Sequence, residues 1–223
     1  MFKGYYKSSK HYHKPDIKNV IERANNVGVT SAILTSGNFD DIQNNISLIR
    51  DYSQFYFTAG LHPTRSNEYN ENFIAFLDNF IGTNKLSNEN IDGKVVAIGE
   101  CGLDYDRLHF ADKDIQKISF THQLKLAYQH NLPLFLHSRA AHIDFVDVIR
   151  NVSKGFGNVL PKGVVHSFTG TLDEMNELVQ LGFYIGLNGC SLKTQDNLDV
   201  ASKVPLDRLM VETGRFDFIY TKH

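Results

Sequence analysis

Three apolar runs in this sequence each end on a polar residue that can bind a metal ion. KVVAIGE ends at Glu100, LPLFLH ends at His137 and GVVH ends at His166. Such runs, rich in Val, Ile, Leu and Phe, are typical of strands buried in a parallel sheet, whose carboxyl ends meet at one edge. A carboxylate and two imidazoles suit Zn, Mn or another divalent ion, and their wide spacing suits successive strand–helix units. The alternative is that the three are unrelated strand-end residues.

Seven strand-like runs alternate with helical segments along the chain. The predicted strands cover residues 30–36, 55–60, 94–99, 132–136, 163–166, 183–189 and 208–213. Helices are predicted from about residue 15 to 28 and over 39–51, 70–81, 114–130, 141–152, 172–181 and 195–202. This alternation predicts an α/β fold, either a barrel or an open doubly wound sheet.

Polar residues at several different strand ends favour the barrel, of the TIM-type (β/α)8 class. A barrel needs eight strands, so seven strands after an initial helix predict an incomplete barrel whose first strand is missing. The 223 residues, 42% of them hydrophobic, are enough to bury one core, and we expect a single domain over residues 1–223.

Composition excludes some classes of protein and leaves others open. The formal net charge of −2 and a pI near 6.5 provide no overall basic field, so any nucleic-acid contact must come from a local patch. No GxGxxG, GxxxxGK[ST] or GxSxG motif occurs in a strand-to-helix context, which disfavours dinucleotide enzymes, P-loop NTPases and serine hydrolases.

Cysteine use and hydropathy predict an intracellular location, cytoplasmic or nuclear. Cys101 and Cys190 form no CxxC pair, so no disulfide framework is expected. No stretch approaches the roughly 20 apolar residues of a membrane span, and the N-terminal sequence lacks the apolar centre of a secretory signal. We expect no membrane association and no obligate protein partner.

Several long motifs in order make the chain similar to the TatD family of metal-dependent deoxyribonucleases, in particular its eukaryotic branch. The resemblance extends over residues 2–213. It rests on GLHPTR at 60–65, VVAIGECGLDYDR at 95–107, LPLFLHSR at 132–139, GVVHSFTGT at 163–171, FYIGLNGCSLKT at 183–194 and LMVET at 209–213.

The resemblance implies a catalytic metal centre that acts on DNA. Glu100, His137 and His166 match the family's metal ligands, Glu100 as the best bridging ligand, and the cofactor is Mg, Mn or Zn. The family binds up to two ions, and we expect fewer here. The family's ETD motif reads ETG in this chain, so that Gly214 replaces an aspartate and offers no side-chain oxygen. Asp217, the next carboxylate, lies in an unlike motif.

Reduced activity is therefore expected, and we also expect truncation at both ends relative to the family. The family carries a strand before the start of this chain and a helix after the ETD strand. A truncated splice product, an incorrect gene model or a nonfunctional paralogue would each produce this pattern.

Further residues next to these motifs are candidates for substrate contact. His62 follows a strand, and the resemblance implies a place near the substrate mouth, with substrate contact and a structural hydrogen bond as the two alternatives. Four basic residues can contact phosphates: Arg65, Arg107, Arg139 and Lys193. Asp104 is predicted to orient a ligand or Arg107. For each basic residue alone, an ordinary surface salt bridge is the alternative.

Two further motifs carry less weight. The HxH motif of His11 and His13 is interpreted as a segment at the surface or at the entry to a helix and not as a metal site, because no apolar strand precedes it. Asn188 and Cys190, with Lys193, are predicted to form one wall of a phosphate-binding mouth.

Three functions follow from these observations. The first is hydrolysis of DNA phosphodiester bonds by a metal-activated water. The second is a noncatalytic protein that binds metal or nucleic acid, favoured by Gly214. The third is a small-molecule amidohydrolase or phosphoesterase, because the same barrel and ligands serve several electrophiles.

Overall fold

The computed structural model describes residues 14, 16–87, 90 and 92–213. The chain divides into two compact units, the first made of Met1–Ala32 with Arg215–His223, and the second of Ile33–Gly214. His11, His13, Gly214 and Asp217 lie outside the described residues.

The described part of the first unit is built on one helix, α1, Ile17–Asn26. Apolar residues recur at helical spacing in IKNVIERANN, as the sequence predicts. The helix ends where the N–H of Val27 donates to Ala24 O, and Gly28 follows with a φ of +84°. A positive φ is readily adopted by glycine, so Gly28 suits the end of a helix.

The second unit is built on a seven-stranded sheet whose order follows the sequence. The strands are β1 (Ala32–Leu34), β2 (Phe55–Ala59), β3 (Val95–Asp104), β4 (Leu134–Arg139), β5 (Gly163–Val165), β6 (Tyr184–Leu187) and β7 (Leu209–Val211), of which β1 begins at the boundary of the units. Every pairing from β2 to β7 is parallel. All seven predicted strands are thus present.

The helices lie between the strands, as the alternation predicts. They are α2 (Phe39–Asp51), α3 (Glu71–Asn84), α4 (Lys113–His130), α5 (His142–Lys154), α6 (Leu172–Gln180) and α7 (Gln195–Ala201). Short 3-10 turns cover Pro63–Glu68, Gly189–Leu192 and Leu206–Arg208. Side-chain caps fix several starts, such as Asp112 on α4 and the capping box of Thr171 with Glu174 on α6.

Apolar faces of these helices and strands form one core. Its largest fully buried side chains include Phe57, Phe120, Phe145 and Phe183. Rings of this size fill the interior of a chain without tryptophan. No helix in the described ranges is both long and apolar enough to cross a bilayer.

Two strands are longer than the sequence predicts. β3 continues past Glu100 to Asp104 and β4 continues past His137, because main-chain pairing persists there, with Gly102 opposite His137 and Asp104 opposite Arg139. Hydropathy marks the first polar side chain, whereas pairing depends on the main chain. Glu100 and His137 therefore lie inside strands.

Candidate metal centre

Glu100 lies at the centre of a cluster of imidazole rings. Its Oε1 is 2.7 Å from His166 Nε2, 3.1 Å from His137 Nδ1 and 3.2 Å from His62 Nε2. All four side chains are only 14–16% exposed. The structure therefore brings together the three residues predicted from the strand pattern, and adds His62 to them.

His137 is held between two carboxylates. Its Nδ1 faces Glu100, and its Nε2 lies 3.2 Å from Oδ2 of Asp104. Both residues are on β3, four positions apart, so one strand contacts both sides of the ring. A histidine held in this way by a carboxylate has a fixed orientation and a fixed tautomer, which is how metal-binding histidines are usually supported.

His166 has the same arrangement with its nitrogens exchanged. Its Nε2 faces Glu100, and its Nδ1 lies 3.2 Å from Oε2 of Glu212. Glu212 also accepts a hydrogen bond from the main-chain N–H of Ser167, and Phe135 stacks on the imidazole with ring centroids 4.4 Å apart. The sequence reasoning did not single out Glu212, although its place in the LMVET motif was a usable signal.

His62 follows β2 and caps the 3-10 turn at Pro63–Glu68. Its Nδ1 accepts a hydrogen bond from the main-chain N–H of Thr64 at 3.1 Å. A neutral ring that accepts through Nδ1 carries its hydrogen on Nε2, so His62 donates to Glu100. The ring also packs edge-on against His137 at 4.7 Å.

The pKa values of Glu100, His137 and His166 are shifted from their usual ranges. Burial raises the pKa of Glu100, but the charge of His166 and hydrogen bonds from the imidazoles outweigh it and hold that pKa well below its usual range. Burial lowers the pKa of His166, yet the charge of Glu100 and its hydrogen bonds raise it to about 10. The pKa of His137 is also raised, because hydrogen bonds with Asp104 and Glu100 outweigh burial.

The donor set fits a divalent metal ion. Donor atoms of His62, Glu100 and His137 all lie within 4.8 Å of one another. His166 Nε2 lies 2.7 Å from the same oxygen of Glu100, so it can take the place of His62 in the ligand set. Both nitrogens of His137 and of His166 face carboxylates, so without a metal each ring must carry two protons to satisfy them. A divalent cation replaces such protons and neutralises the same carboxylates. Among the described residues, the buried Oδ1 of Asp104 has no hydrogen-bond partner.

A cavity of about 1160 Å³ opens above this cluster. Its walls include three of the four basic residues proposed for phosphate contact, namely Arg107, Arg139 and Lys193. Arg139 donates to Asp106 at 2.7 Å and to Thr169 at 2.8 Å. The same lining also contains six carboxylates, those of Glu100, Asp104, Asp106, Glu174, Asp196 and Asp199, so basic and acidic side chains are mixed around the cluster.

The remaining predicted residues lie in the cavity wall or outside it. Arg65 pairs with Glu68 at 3.4 Å and is not among the residues that line the cavity. Asp104 lies 3.6 Å from the Nη1 atom of Arg107, and its Oδ2 is also 3.2 Å from Nε2 of His137. Asn188 donates to Ser167, and Cys190 lines the cavity wall.

A parallel sheet in sequential strand order, with a carboxylate–imidazole centre near the carboxyl ends of its strands, defines the class of barrel-type metallo-hydrolases. Within that class, the family model described as TatD related DNase matches residues 7–215. The chain belongs to this family.

Known proteins similar to this chain agree. It is 42% identical over 219 residues to deoxyribonuclease Tat-D of Schizosaccharomyces pombe, covering 96% of this chain and 67% of that protein. It is 44% identical over 156 residues to a putative deoxyribonuclease TATDN1 homolog of Encephalitozoon cuniculi, covering 70% of this chain and 50% of that protein. The chain thus spans half to two thirds of these relatives.

A solved structure confirms the architecture. The crystal structure of a TatD family hydrolase from Entamoeba histolytica superposes with a TM-score of 0.82 at 38% identity, covering 95% of this chain and 69% of that one. The predicted fold class, an incomplete TIM-type barrel, is confirmed.

Proposed function

We propose that this protein is a metal-dependent deoxyribonuclease that hydrolyses phosphodiester bonds of DNA. The observation that carries the proposal is the convergence of three imidazole nitrogens on Glu100 Oε1 at the base of a cavity lined by Arg107 and Arg139. A DNA strand is a chain of phosphates, and guanidinium groups bind phosphate oxygens through paired hydrogen bonds. The relatives from Schizosaccharomyces pombe and Encephalitozoon cuniculi carry deoxyribonuclease in their names.

The ligands that we assign are Glu100, His137 and His166. His137 would bind through Nδ1 and His166 through Nε2, while Asp104 and Glu212 hold the opposite nitrogens. A divalent ion bound there would lower the pKa of a water molecule and offset negative charge on the phosphate. Two imidazoles and one carboxylate suit Zn best and also Mn, whereas Mg prefers oxygen ligands and would rely on the carboxylate and water. We propose one ion rather than two.

The other cavity residues bind and orient the substrate. The main-chain N–H of Thr64 fixes Nδ1 of His62 as an acceptor, so the ring hydrogen is on Nε2. This hydrogen, which is donated to Glu100 here, can instead be donated to a phosphate oxygen of the substrate. Arg107, Arg139 and Lys193 provide positive charge along the mouth. Because carboxylates line the same cavity, these three residues act by local contact with phosphate oxygens and not through an overall positive field.

Gly214 is proposed to reduce the activity of this chain relative to its family. A glycine has no oxygen to bind a metal or accept a proton, where the family carries an aspartate. The variant Gly214→Asp should increase turnover and metal affinity. We retain a single hydrolase domain and an intracellular location, cytoplasmic or nuclear, as predictions.

The test is release of nucleotides from single- and double-stranded DNA by the purified chain with Mg²⁺, Mn²⁺ or Zn²⁺. EDTA should abolish turnover, and Glu100→Gln should lower it by about 100-fold or more, because the carboxylate charge at the centre is lost. The matched control is Glu71→Gln, an exposed glutamate in the first turn of α3. Cleavage that survives EDTA or the Glu100 change rejects the mechanism.

The noncatalytic function is distinguished by the same protein samples. Tight, salt-sensitive DNA binding with no turnover in any metal, by the original chain and by Gly214→Asp alike, would replace the nuclease assignment. Turnover restored by Gly214→Asp alone would show that the site is intact except at that position.

A further inference from the structure

Two fully buried glutamines project from α4 toward the strand ends. Gln116 and Gln123 are each 0% exposed and stand seven positions apart, on one face of the helix. A buried position on a helix that faces a sheet is usually apolar, because a primary amide loses its hydrogen bonds to water. Their presence therefore requires an explanation in terms of what they bind.

Gln116 makes a pair of hydrogen bonds with the main chain of Asp104. Its Oε1 accepts from the N–H of Asp104 at 2.8 Å, and its Nε2 donates to the carbonyl of Asp104 at 3.0 Å. The second hydrogen of Nε2 goes to the carbonyl of Ala111 at 2.9 Å. The amide thus uses one donor on Asp104, the last residue of β3, and the other on Ala111, in the segment that follows.

Gln123 makes the equivalent pair of bonds one strand away. Its Oε1 accepts from the N–H of Leu61 at 2.7 Å, and its Nε2 donates to the carbonyl of Leu61 at 3.0 Å. The bonds of the two glutamines resemble in form the bonds that a neighbouring strand would make.

A gap in the sheet explains the need for these bonds. The pairing of β2 with β3 ends at Ala59 opposite Ile98, whereas β3 continues to Asp104. Beyond that point no described strand pairs with β3 on its β2 side: the N–H of Glu100 donates to Ser36 O, in the segment after β1, and the main chain of Asp104 bonds to Gln116. Buried main-chain N–H and carbonyl groups must be satisfied, and Gln116 satisfies both groups of Asp104.

The carboxylate of Asp104 must be placed accurately, because it orients the imidazole of His137. Its Oδ2 meets His137 Nε2 at 3.2 Å, and the position of the imidazole determines where Nδ1 points toward Glu100. A bond between two side chains in a rigid centre fails if either main chain shifts by about 1 Å. Asp104 is the last residue of β3, where a strand is least restrained.

We propose that Gln116 is a positioning residue of the metal centre. It fixes the main chain of Asp104, so that the Asp104 carboxylate holds His137 with Nδ1 directed at the metal. The proposal rests on the proposed function only in taking His137 as a metal ligand; it does not depend on the substrate.

The test is a double-mutant cycle on metal affinity, measured by calorimetric titration of the full chain with Zn²⁺ or Mn²⁺ alone. Gln116→Met keeps the length of the side chain and removes its hydrogen bonds. We expect it to raise the metal Kd about tenfold. In an Asp104→Ala background, the same change should raise the Kd by less than about twofold, because the carboxylate through which Gln116 acts is gone.

Gln123→Met is the matched control. This variant removes the equivalent pair of hydrogen bonds from the same face of α4. These bonds hold the main chain of Leu61 and not that of Asp104. Its effect on Kd should be equal, within about twofold, in the presence and absence of Asp104. Circular dichroism and melting temperature establish that each variant is folded at the titration temperature. Gln116→Leu is measured in the same double-mutant cycle as a second replacement of Gln116.

Three results would overturn the proposal: an unchanged Kd in folded Gln116→Met and Gln116→Leu, losses from Gln116→Met and Asp104→Ala that simply multiply, or equal coupling of Gln123 to Asp104. Failure of the nuclease assignment is separate. A chain that binds metal and shows the coupling without cleaving DNA supports Gln116 and rejects only the proposed activity. Cleavage without coupling rejects only the role of Gln116.

Discussion

Glu212 contacts His166 on the side of the imidazole ring that faces away from Glu100, with 3.2 Å between Oε2 and Nδ1. Its second oxygen accepts the N–H of Ser167, so the carboxylate is anchored to the main chain beside the histidine. An imidazole that gives one nitrogen to a carboxylate presents the other in a fixed direction. Glu212 therefore supports the proposed ligand His166 as Asp104 supports His137.

Glu212→Gln should raise the metal Kd by about 10- to 100-fold, because an amide supports the Nδ1 hydrogen more weakly than a carboxylate does. Isothermal titration with Zn²⁺ or Mn²⁺ measures the change. Glu177→Gln is the matched control, since Glu177 also pairs with a histidine, His142, at 2.8 Å but contacts none of the proposed ligands. Equal losses in both variants would refute the assignment.

Arg139→Ala should raise the KM for DNA about tenfold, with a smaller change in kcat, because its guanidinium lines the cavity. The slope of log affinity against log salt should become shallower by about one. Arg65→Ala should change neither quantity appreciably, since Arg65 pairs with Glu68 and does not line the cavity. A larger effect from Arg65→Ala than from Arg139→Ala would show that DNA does not bind along this cavity.

Tyr105→Phe should lower the free energy of unfolding by about 1 kcal/mol at pH 7, because Tyr105 donates to the carboxylate of Asp144. That hydrogen bond lowers the pKa of Asp144, so its stabilisation is complete above the unfolded value of about 3.9 and is lost as the pH falls through the lower folded value. The difference between wild type and variant should therefore shrink below about pH 4. Urea titrations at several pH values measure it.

The control for that prediction is Tyr128→Phe. Tyr128 donates to the carbonyl of Val159, which does not titrate. Loss of this hydrogen bond should lower the free energy of unfolding by a similar amount at every pH. Identical pH profiles for the two variants would contradict the role of Asp144.

Gly60→Ala should destabilise the fold by about 3 kcal/mol and weaken metal binding. A Cβ at this position would meet Cα of Gly99 at 2.5 Å, so the main chains that precede His62 and Glu100 would have to separate. Thermal melts and metal titration report the two effects. Gly155→Ala is the control, because Gly155 has a φ of −70° and its added Cβ would meet Val152 O at an acceptable 3.4 Å. Comparable losses at both positions would disprove close packing at Gly60.

The helices and strands were largely predictable because caps and the spacing of apolar residues within each short segment indicate its structure. α2 has the predicted bounds, Phe39–Asp51, since Asn38 caps its start and its apolar residues recur at helical spacing. The ends of β3 and β4 were not predictable, since their last residues are polar and are held by main-chain pairing with a neighbouring strand.

The sequence by itself determined the alternation of strands and helices and the residue types of the centre, Glu100, His137 and His166, because apolar periodicity and strand-end chemistry are properties of short segments. Only the tertiary structure decided which side chains support them. Glu212 is 46 residues from His166, and Gln116 is 12 residues from Asp104 on another element. Contacts of this kind depend on how the sheet and helices pack, because distance along a chain does not specify direction in space.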